Sequence, residues 1–82
     1  MLFFVKYEQK TSILYGFRES DTIRTLLLVI SNKYSLPIEV FYLIYGGKLL
    51  SSKNTINASK LEHESTIRVI IRAGSGAPIV FK

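Results

Sequence analysis

The segment LIYGGKLL, residues 43–50, places a Gly-Gly pair between two short apolar runs. Glycine pairs mark tight turns, because glycine adopts the positive φ angles that other residues avoid. We therefore predict a strand over residues 40–45, a turn at Gly46 and Gly47, and a short return strand over residues 48–50. A phosphate-binding loop is not indicated, since the motif lacks an earlier glycine at the required spacing and a Ser or Thr after Lys48.

The segment ESTIRVIIR, residues 64–72, has the alternation of a β-strand. Side chains two positions apart lie on the same face of a strand. A strand over residues 66–72 would turn three aliphatic side chains toward the core: Ile67, Val69 and Ile71. Its outward face would carry Arg68, Ile70 and Arg72.

Two further strands are expected near the start of the chain. Residues 2–7 are apolar and aromatic, and residues 11–17 alternate. The alternation places three side chains on one face: Ile13, Tyr15 and Phe17. The residues between the runs, Glu8-Gln9-Lys10, predict a hairpin. Because this turn contains no glycine, we expect its geometry to be altered from the form in which glycine takes the positive φ angle.

One amphipathic helix is predicted after residue 22. Apolar residues recur at the spacing of a single helix face: Ile23, Leu26, Leu27, Ile30 and Tyr34. Thr22 is the predicted N-cap, and Pro37 stops the helix because it forces the residue before it into an extended conformation. Leu28 and Val29 fall off the apolar face. They form either an unusually apolar exposed surface or a contact for a partner.

The composition is that of one small globular domain. The chain has 82 residues, of which 48% are hydrophobic and 21% charged, and this suffices for a single core. Cysteine is absent, which excludes disulfides, thiol nucleophiles and cysteine-based metal sites. The apolar run at residues 26–30 is far shorter than the roughly 20 residues of a membrane span. We therefore expect a protein of the cytoplasm or nucleus, or of both, without a membrane partner.

The net charge of +5 leaves two interpretations open. A basic patch would favour nucleic-acid binding, whereas dispersed charges are typical of a solvated surface. The basic residues are spread from Lys6 to Lys82 with acidic residues among them. This spread favours the solvated surface, and we expect no nucleic-acid partner.

The sequence does not group side chains for catalysis. The single histidine, His63, lies between Glu62 and Glu64 in a polar loop. One histidine without cysteines cannot form a zinc site, and the acidic residues lack the spacing of metal ligands. Catalysis needs a nucleophile, an acid–base group and a charge stabiliser in mutual reach. We therefore expect no enzyme activity, no metal and no cofactor.

These motifs, together with MLFFVK at residues 1–6 and SDTI at residues 20–23, resemble the ubiquitin family without a gap from residue 1 to residue 76. The resemblance implies a ubiquitin-like β-grasp fold of the α+β class, with one helix across a mixed sheet of about five strands. It also implies that the first and last strands pair in parallel at the centre. We expect residues 1–72 to form the domain and residues 73–82 a flexible tail.

The resemblance further implies a surface recognised by ubiquitin-receptor domains, the proteasome or conjugation enzymes. Its predicted residues lie on the third and last strands and on the hairpin beside them: Tyr42, Ile44, Gly47, Lys48, Leu49, Arg68 and Ile70. Three of these are identical to the family residues: Ile44, Gly47 and Lys48. Glu8 replaces a leucine of the first turn, while Tyr42 and Leu49 add apolar area, so we expect a changed choice of partner. The alternative is that these are ordinary outward residues of a sheet.

The end of the chain separates two classes of function. A modifier of this family ends in a free glycine carboxylate, which an activating enzyme adenylates before passing the acyl group to a thiol. Arg72 and Gly76 match the family ending, but residues 73–75 do not, and six residues follow Gly76. Glycines suit this ending because a side chain would clash in the narrow channels of the processing enzymes.

Two functions follow, in order of preference. The first is a non-catalytic, monomeric ubiquitin-like interaction module that partners bind through the face around Ile44. The second is a divergent modifier that a protease trims to Gly76 and that is then joined to lysines by an isopeptide bond. Lys48 would be the chain acceptor if chains form, whereas Lys6 and Lys33 are better explained by solubility. A sulfur carrier is disfavoured because it also needs a C-terminal glycine pair.

Overall fold

The computed structural model describes residues 1–72, which contain a five-stranded sheet and one α-helix. In chain order the elements are β1 (Phe3–Tyr7), β2 (Lys10–Leu14), α1 (Ile23–Tyr34), a short 3₁₀ helix (Ile38–Val40), β3 (Phe41–Tyr45), β4 (Lys48–Leu49) and β5 (Ser65–Ile71). The strand order is β2-β1-β5-β3-β4. This arrangement confirms the expected α+β sheet with a helix. The predicted tail, residues 73–82, lies outside the described residues.

The centre of the sheet is the parallel pair of β1 and β5, with Val5 opposite Ile67. β2 and β3 pair antiparallel to the outer edges of these two strands, so the sheet is mixed. Phe3, Val5 and Ile67 are fully buried. A parallel pair needs a long crossover connection. Here the segment from β2 to β5, which includes the helix, supplies it.

Helix α1 contributes the apolar face that the sequence predicts. Its buried side chains are Ile23, Leu26, Leu27 and Ile30, which share one core with β1, β3 and β5. The hydroxyl of Thr22 accepts a hydrogen bond from the Thr25 amide at 3.4 Å, so the predicted N-cap is confirmed. The helix ends at Tyr34, and Ser35 follows in a left-handed conformation with φ 56°.

The loop that follows β4 is attached to the helix start by backbone hydrogen bonds. The amide of Ile56 donates to the carbonyl of Asp21 at 2.8 Å, and the amide of Ile23 donates to Asn54 at 2.8 Å. Ile56 is fully buried and Leu61 nearly so. These two buried side chains anchor the loop to the core.

The β1–β2 hairpin has a register that the alternation of residues 11–17 does not reveal. Leu14 lies opposite the buried Phe3, whereas Ile13 lies opposite Phe4. Residues opposite each other in a ladder share a face, so Ile13 points to the outer face and is 43% exposed. A shift of one residue in register exchanges the two faces of a strand. This shift decides which side chains of β2 reach the core.

An extra residue after β2 restores Phe17 to the core. Phe17 and Met1 exchange two hydrogen bonds, at 2.8 and 3.2 Å. Leu14 and Phe17 are three residues apart, whereas their partners Phe3 and Met1 are two apart, which is the arrangement of a β-bulge. Gly16, with φ 87°, lies within it. Tyr15 is 70% exposed while Phe17 is buried, so the predicted single face for Ile13, Tyr15 and Phe17 is wrong.

The ends of three strands differ slightly from those predicted from the sequence. Ile71 was expected in the core, but it is 45% exposed, because β5 ends there and its partner Phe41 is the first residue of β3. β3 begins at Phe41 rather than at residue 40, since Val40 closes the 3₁₀ helix. β2 ends at Leu14 rather than at residue 17, because the bulge interrupts its ladder.

Tyr34 is partly buried against the core and connects the helix to the first hairpin. Its ring lies 4.8 Å from that of Tyr7, and its hydroxyl is 2.6 Å from the Ser12 hydroxyl. Burial raises the pKa of Tyr7, and the nearby charge of Glu8 and the Tyr34 phenol raise it further.

The altered turn of this hairpin yields a stability prediction. Glu8 occupies the left-handed region with φ 58°, where a Cβ atom is unfavourable. Glu8→Gly should therefore raise the free energy of unfolding by about 1 kcal/mol. Gln9→Gly is the matched control, because Gln9 does not have a positive φ, and it should give no gain. Urea denaturation measures both, and a loss of stability in Glu8→Gly would contradict the turn geometry.

The raised pKa of Tyr7 predicts alkaline destabilisation. Above pH about 10 the unfolded chain releases the Tyr7 proton before the folded protein does, so stability falls as pH rises. Tyr7→Phe should lose stability less steeply between pH 9.5 and 11. Tyr15→Phe, at an exposed site, is the control substitution. Identical slopes for Tyr7→Phe and the native protein in urea titrations at each pH would refute the prediction.

Candidate recognition surface

The outer face of the sheet is the one that the helix leaves uncovered. Along β3, the buried residues Phe41 and Leu43 alternate with Tyr42 and Ile44, which are only partly buried. Tyr42 lies opposite Ile70 of β5, and Ile44 lies opposite Arg68. Cross-strand neighbours share a face. The register therefore places these four predicted residues side by side on the outer face.

A concavity of about 810 Å³ lies at the centre of this surface. We call its four predicted members the Ile44 face: Ile44, Gly47, Arg68 and Ile70. Lys6 and Glu8 line the same concavity. The arrangement is an aliphatic floor with two cations and one carboxylate at its rim, a surface that can bind an apolar side chain with acidic neighbours.

The turn between β3 and β4 gives the face a defined edge. Tyr45 pairs with Lys48 across the turn residues Gly46 and Gly47, which have φ 59° and 79°. Positive φ at both central residues is the requirement of a type I′ turn. The predicted Gly-Gly turn is confirmed.

Lys48 lies beside the Ile44 face rather than in its concavity. Successive residues of a strand point to opposite sides, and Leu49 is the residue paired with Ile44. Lys48 lines a separate concavity of about 370 Å³ together with Tyr45 and Lys60. Its side chain is exposed.

Tyr42 and Leu49 belong to a third concavity of about 410 Å³, which Arg24 and Arg72 also line. The guanidinium of Arg72 lies 5.4 Å from the centre of the Tyr42 ring, a cation–π distance. The Arg72 amide donates to the Val40 carbonyl at 2.8 Å. Leu49 is 63% exposed. The structure therefore divides the seven predicted residues among three adjoining concavities.

The sequence model of the Ubiquitin family matches residues 3–74, which include every described strand and the helix. The chain belongs to the ubiquitin family. Ubiquitin-like folds are generally non-enzymatic, and domains of this kind generally bind other proteins. Gly76 lies beyond both the matched range and the described residues.

The concavity of this ubiquitin-family surface also contains residues that were not predicted as partner-binding, among them Lys6 and Thr66. Lys6 lies opposite Arg68 in the β1–β5 ladder, so two cations are neighbours on the outer face. Thr66 lines the concavity as well. The sequence could have predicted the position of Lys6. Side chains alternate along residues 2–7, so Lys6 points outward when Phe3 and Val5 point into the core.

His63 has a structural contact in this ubiquitin-family domain. Its Nδ1 atom accepts a hydrogen bond from the Leu2 amide at 3.2 Å. Within residues 1–72, no group of three His, Cys, Asp or Glu side chains is placed to hold a metal ion. The same part of the chain contains no helix with the length and apolarity to span a membrane.

The turn beside the Ile44 face gives a second stability prediction. A Cβ atom built on Gly47 meets no heavy atom within 4 Å, so substitution strains the backbone without a clash. Gly47→Ala should therefore lower the free energy of unfolding by only about 1 kcal/mol. Ser52→Ala, outside any strand, serves as a control and should change little. If urea denaturation gave a loss of unfolding free energy several times larger, a Cβ atom at Gly47 would have to clash with neighbouring atoms, which would contradict the open surroundings of the turn.

Proposed function

We propose that this chain is a non-catalytic ubiquitin-like interaction module, which ubiquitin-receptor domains or the proteasome bind through the Ile44 face. The observation that supports this most is the concavity in which Ile44 and Ile70 lie beside Arg68 and Gly47. Ile44 and Ile70 are only partly buried, so a partner can still remove apolar area from water. Membership of the ubiquitin family supports the same assignment.

The charges around the face indicate the character of the partner. Lys6 and Arg68 are both exposed and lie opposite each other in the ladder. A partner with carboxylates near its apolar contact would gain attraction from both cations. Glu8 at the same rim disfavours partners with an acidic group at that edge, so we propose a partner choice that differs from the family pattern.

The surroundings of the face extend its apolar area. Leu49 pairs with Ile44, and Tyr42 pairs with Ile70, so both continue the apolar surface toward β4 and the end of β5. We propose that both contact the same partner. We also propose that the protein is cytoplasmic or nuclear and that it is monomeric.

A modifier function is the second candidate. Two sequence features favour it: Arg72 and Gly76 match the family ending, and the family match extends to residue 74. A protease would remove the six residues after Gly76, conjugation enzymes would activate the new carboxylate, and an isopeptide bond would join it to a lysine. The exposed Lys48 would serve as acceptor in chains.

The intact mass of the protein recovered from its own cells distinguishes the two candidates. A mass that ends at Gly76 would favour the modifier, and ATP-dependent activation would be the next assay. A mass that retains Lys82 or extends past it would show that Gly76 is not freed, and would favour the module.

The module is tested by Ile44→Ala. Removing this side chain should weaken binding to a ubiquitin-receptor domain by more than about tenfold, because a central aliphatic anchor is lost. The fold should persist, since Ile44 lies outside the core. Leu28→Ala, at an exposed aliphatic residue of α1, should bind as the native chain does. Isothermal titration calorimetry with circular dichroism would decide, and native-like affinity in Ile44→Ala would rule out this face.

A further inference from the structure

Helix α1 has a second stripe of residues on the side that faces away from the sheet. Its four buried residues lie at positions 23, 26, 27 and 30, the spacing of a single helix face. The same spacing recurs two residues later, which is a rotation of about 200° around the helix axis, at Thr25, Leu28, Val29 and Asn32. We call these four residues the α1 outer face. Leu28 is 47% exposed and Val29 37% exposed, so the centre of this face is apolar.

A concavity of about 320 Å³ lies at the C-terminal end of this face. Leu28 and Asn32 line it together with Leu36 and Pro37, which follow the helix. Hydrogen bonds in both directions hold this loop against the helix. The Leu36 amide donates to the Ser31 carbonyl at 3.0 Å, and the Ser31 hydroxyl donates to the Leu36 carbonyl. The apolar centre of the face therefore continues into a walled depression that can receive one apolar side chain.

The charges around this face are mainly positive. Arg24 and Lys33 are exposed, and α1 contains no acidic residue. Because nine residues are about two and a half turns, these cations lie on opposite flanks of the face and about 14 Å apart along the axis. Residues 51–60, which accept a hydrogen bond from the Arg24 amide, contain two lysines and no acidic residue. The acidic residues nearest in the sequence are Asp21 and Glu39, before and after the helix, and Glu39 lines a concavity with Arg24. Cations thus outnumber carboxylates here.

A helix is the partner element that this face suits. The backbone groups of α1 bond within the helix, so its outer face offers side chains and no free backbone ladder. An extended peptide laid on it would leave its own backbone groups without protein partners, whereas a helix satisfies them internally. A second copy of this chain is a poorer occupant, because it would bring another basic face and another net charge of +5.

We propose that the α1 outer face binds an acidic amphipathic helix of a partner protein. The apolar stripe of that helix packs on Leu28 and Val29, and one of its apolar side chains enters the concavity beside Leu36. Its carboxylates lie near Arg24 and Lys33. With two exposed aliphatic residues at its centre, the contact is a weak and transient one.

This contact is independent of the proposed function. Helix α1 packs its buried face on the inner side of the sheet, whereas the Ile44 face lies on the outer side. The α1 outer face and the Ile44 face are therefore on opposite sides of the domain. A receptor bound at the Ile44 face leaves α1 open, so the chain would hold two different partners at once.

The test uses two synthetic peptides of about 18 residues with blocked ends and an Ala-rich background that favours a helix. The Glu peptide has Leu at i, i+3, i+4 and i+7, and Glu on both flanks at i−1, i+1, i+6 and i+8. The Lys peptide has Lys in place of every Glu. Each is titrated into the ¹⁵N-labelled full chain at moderate salt, and amide NMR spectra give the contact residues and the affinity. The Glu peptide should shift the amides of the α1 outer face, and the Lys peptide should bind about tenfold more weakly.

The decisive variant combines Leu28→Gln with Val29→Gln, which removes the apolar centre and keeps residues that the helix tolerates. It should weaken the Glu peptide about tenfold. Ile44→Ala is the control, and it should leave both the affinity and the shifts in α1 unchanged. Loss of receptor binding in Ile44→Ala and loss of peptide binding in the α1 variant therefore judge the proposed function and this inference separately.

A second variant tests the charges. Arg24→Gln combined with Lys33→Gln should weaken the Glu peptide about threefold, because exposed ion pairs contribute little each. Lys10→Gln combined with Lys60→Gln removes the same net charge away from the face. This matched control should bind as the native chain does.

Four results would overturn the inference. The first three are no shifts in α1 with the Glu peptide, native affinity in the Leu28→Gln and Val29→Gln chain, and equal or tighter binding of the Lys peptide. The fourth concerns an anionic membrane, the other occupant of a basic apolar face. Sedimentation with vesicles of equal parts phosphatidylserine and phosphatidylcholine, lost in the α1 variant and without any peptide binding, would assign the face to lipid.

Discussion

The parallel pairing of β1 with β5 is the constraint on which the other elements depend. It joins the first and last strands of the described domain, with Phe3, Val5 and Ile67 fully buried at the centre. Everything between must form the crossover, so the helix covers the inner face and β3 and β4 extend the far edge. The inner face is thereby committed to the core. The outer face needs no packing partner within the described chain and is available for recognition.

Most elements of this domain could be read from local patterns. The period of the helix, the Thr22 cap and the Gly46-Gly47 turn each follow from the stereochemistry of a few adjacent residues. The strand topology came instead from the resemblance to the ubiquitin family, because pairing of distant strands leaves no local signal. The strand order of the structure, β2-β1-β5-β3-β4, confirms it.

The faces of β2 and the grouping of the site were harder to predict. Turn length sets hairpin register, and the alternation of residues 11–17 fits either register, so only the structure places Ile13 outward. The Gly16 bulge then shifts Phe17 inward. At the site, the alternation of β3 and β5 in the sequence predicts which of their side chains point outward. The direction of the Lys48 side chain could not be predicted in this way, because it depends on the pairing of Lys48 with Tyr45 across the turn.

The central claim is that partners bind the outer sheet face around Ile44. Titration of the ¹⁵N-labelled chain with a ubiquitin-receptor domain, followed by amide NMR spectra, tests it residue by residue. We predict the largest shifts at Ile44, Gly47, Arg68 and Ile70, with small shifts along α1. Shifts centred on Leu28 and Val29 of the helix, or none at saturating receptor, would contradict the account.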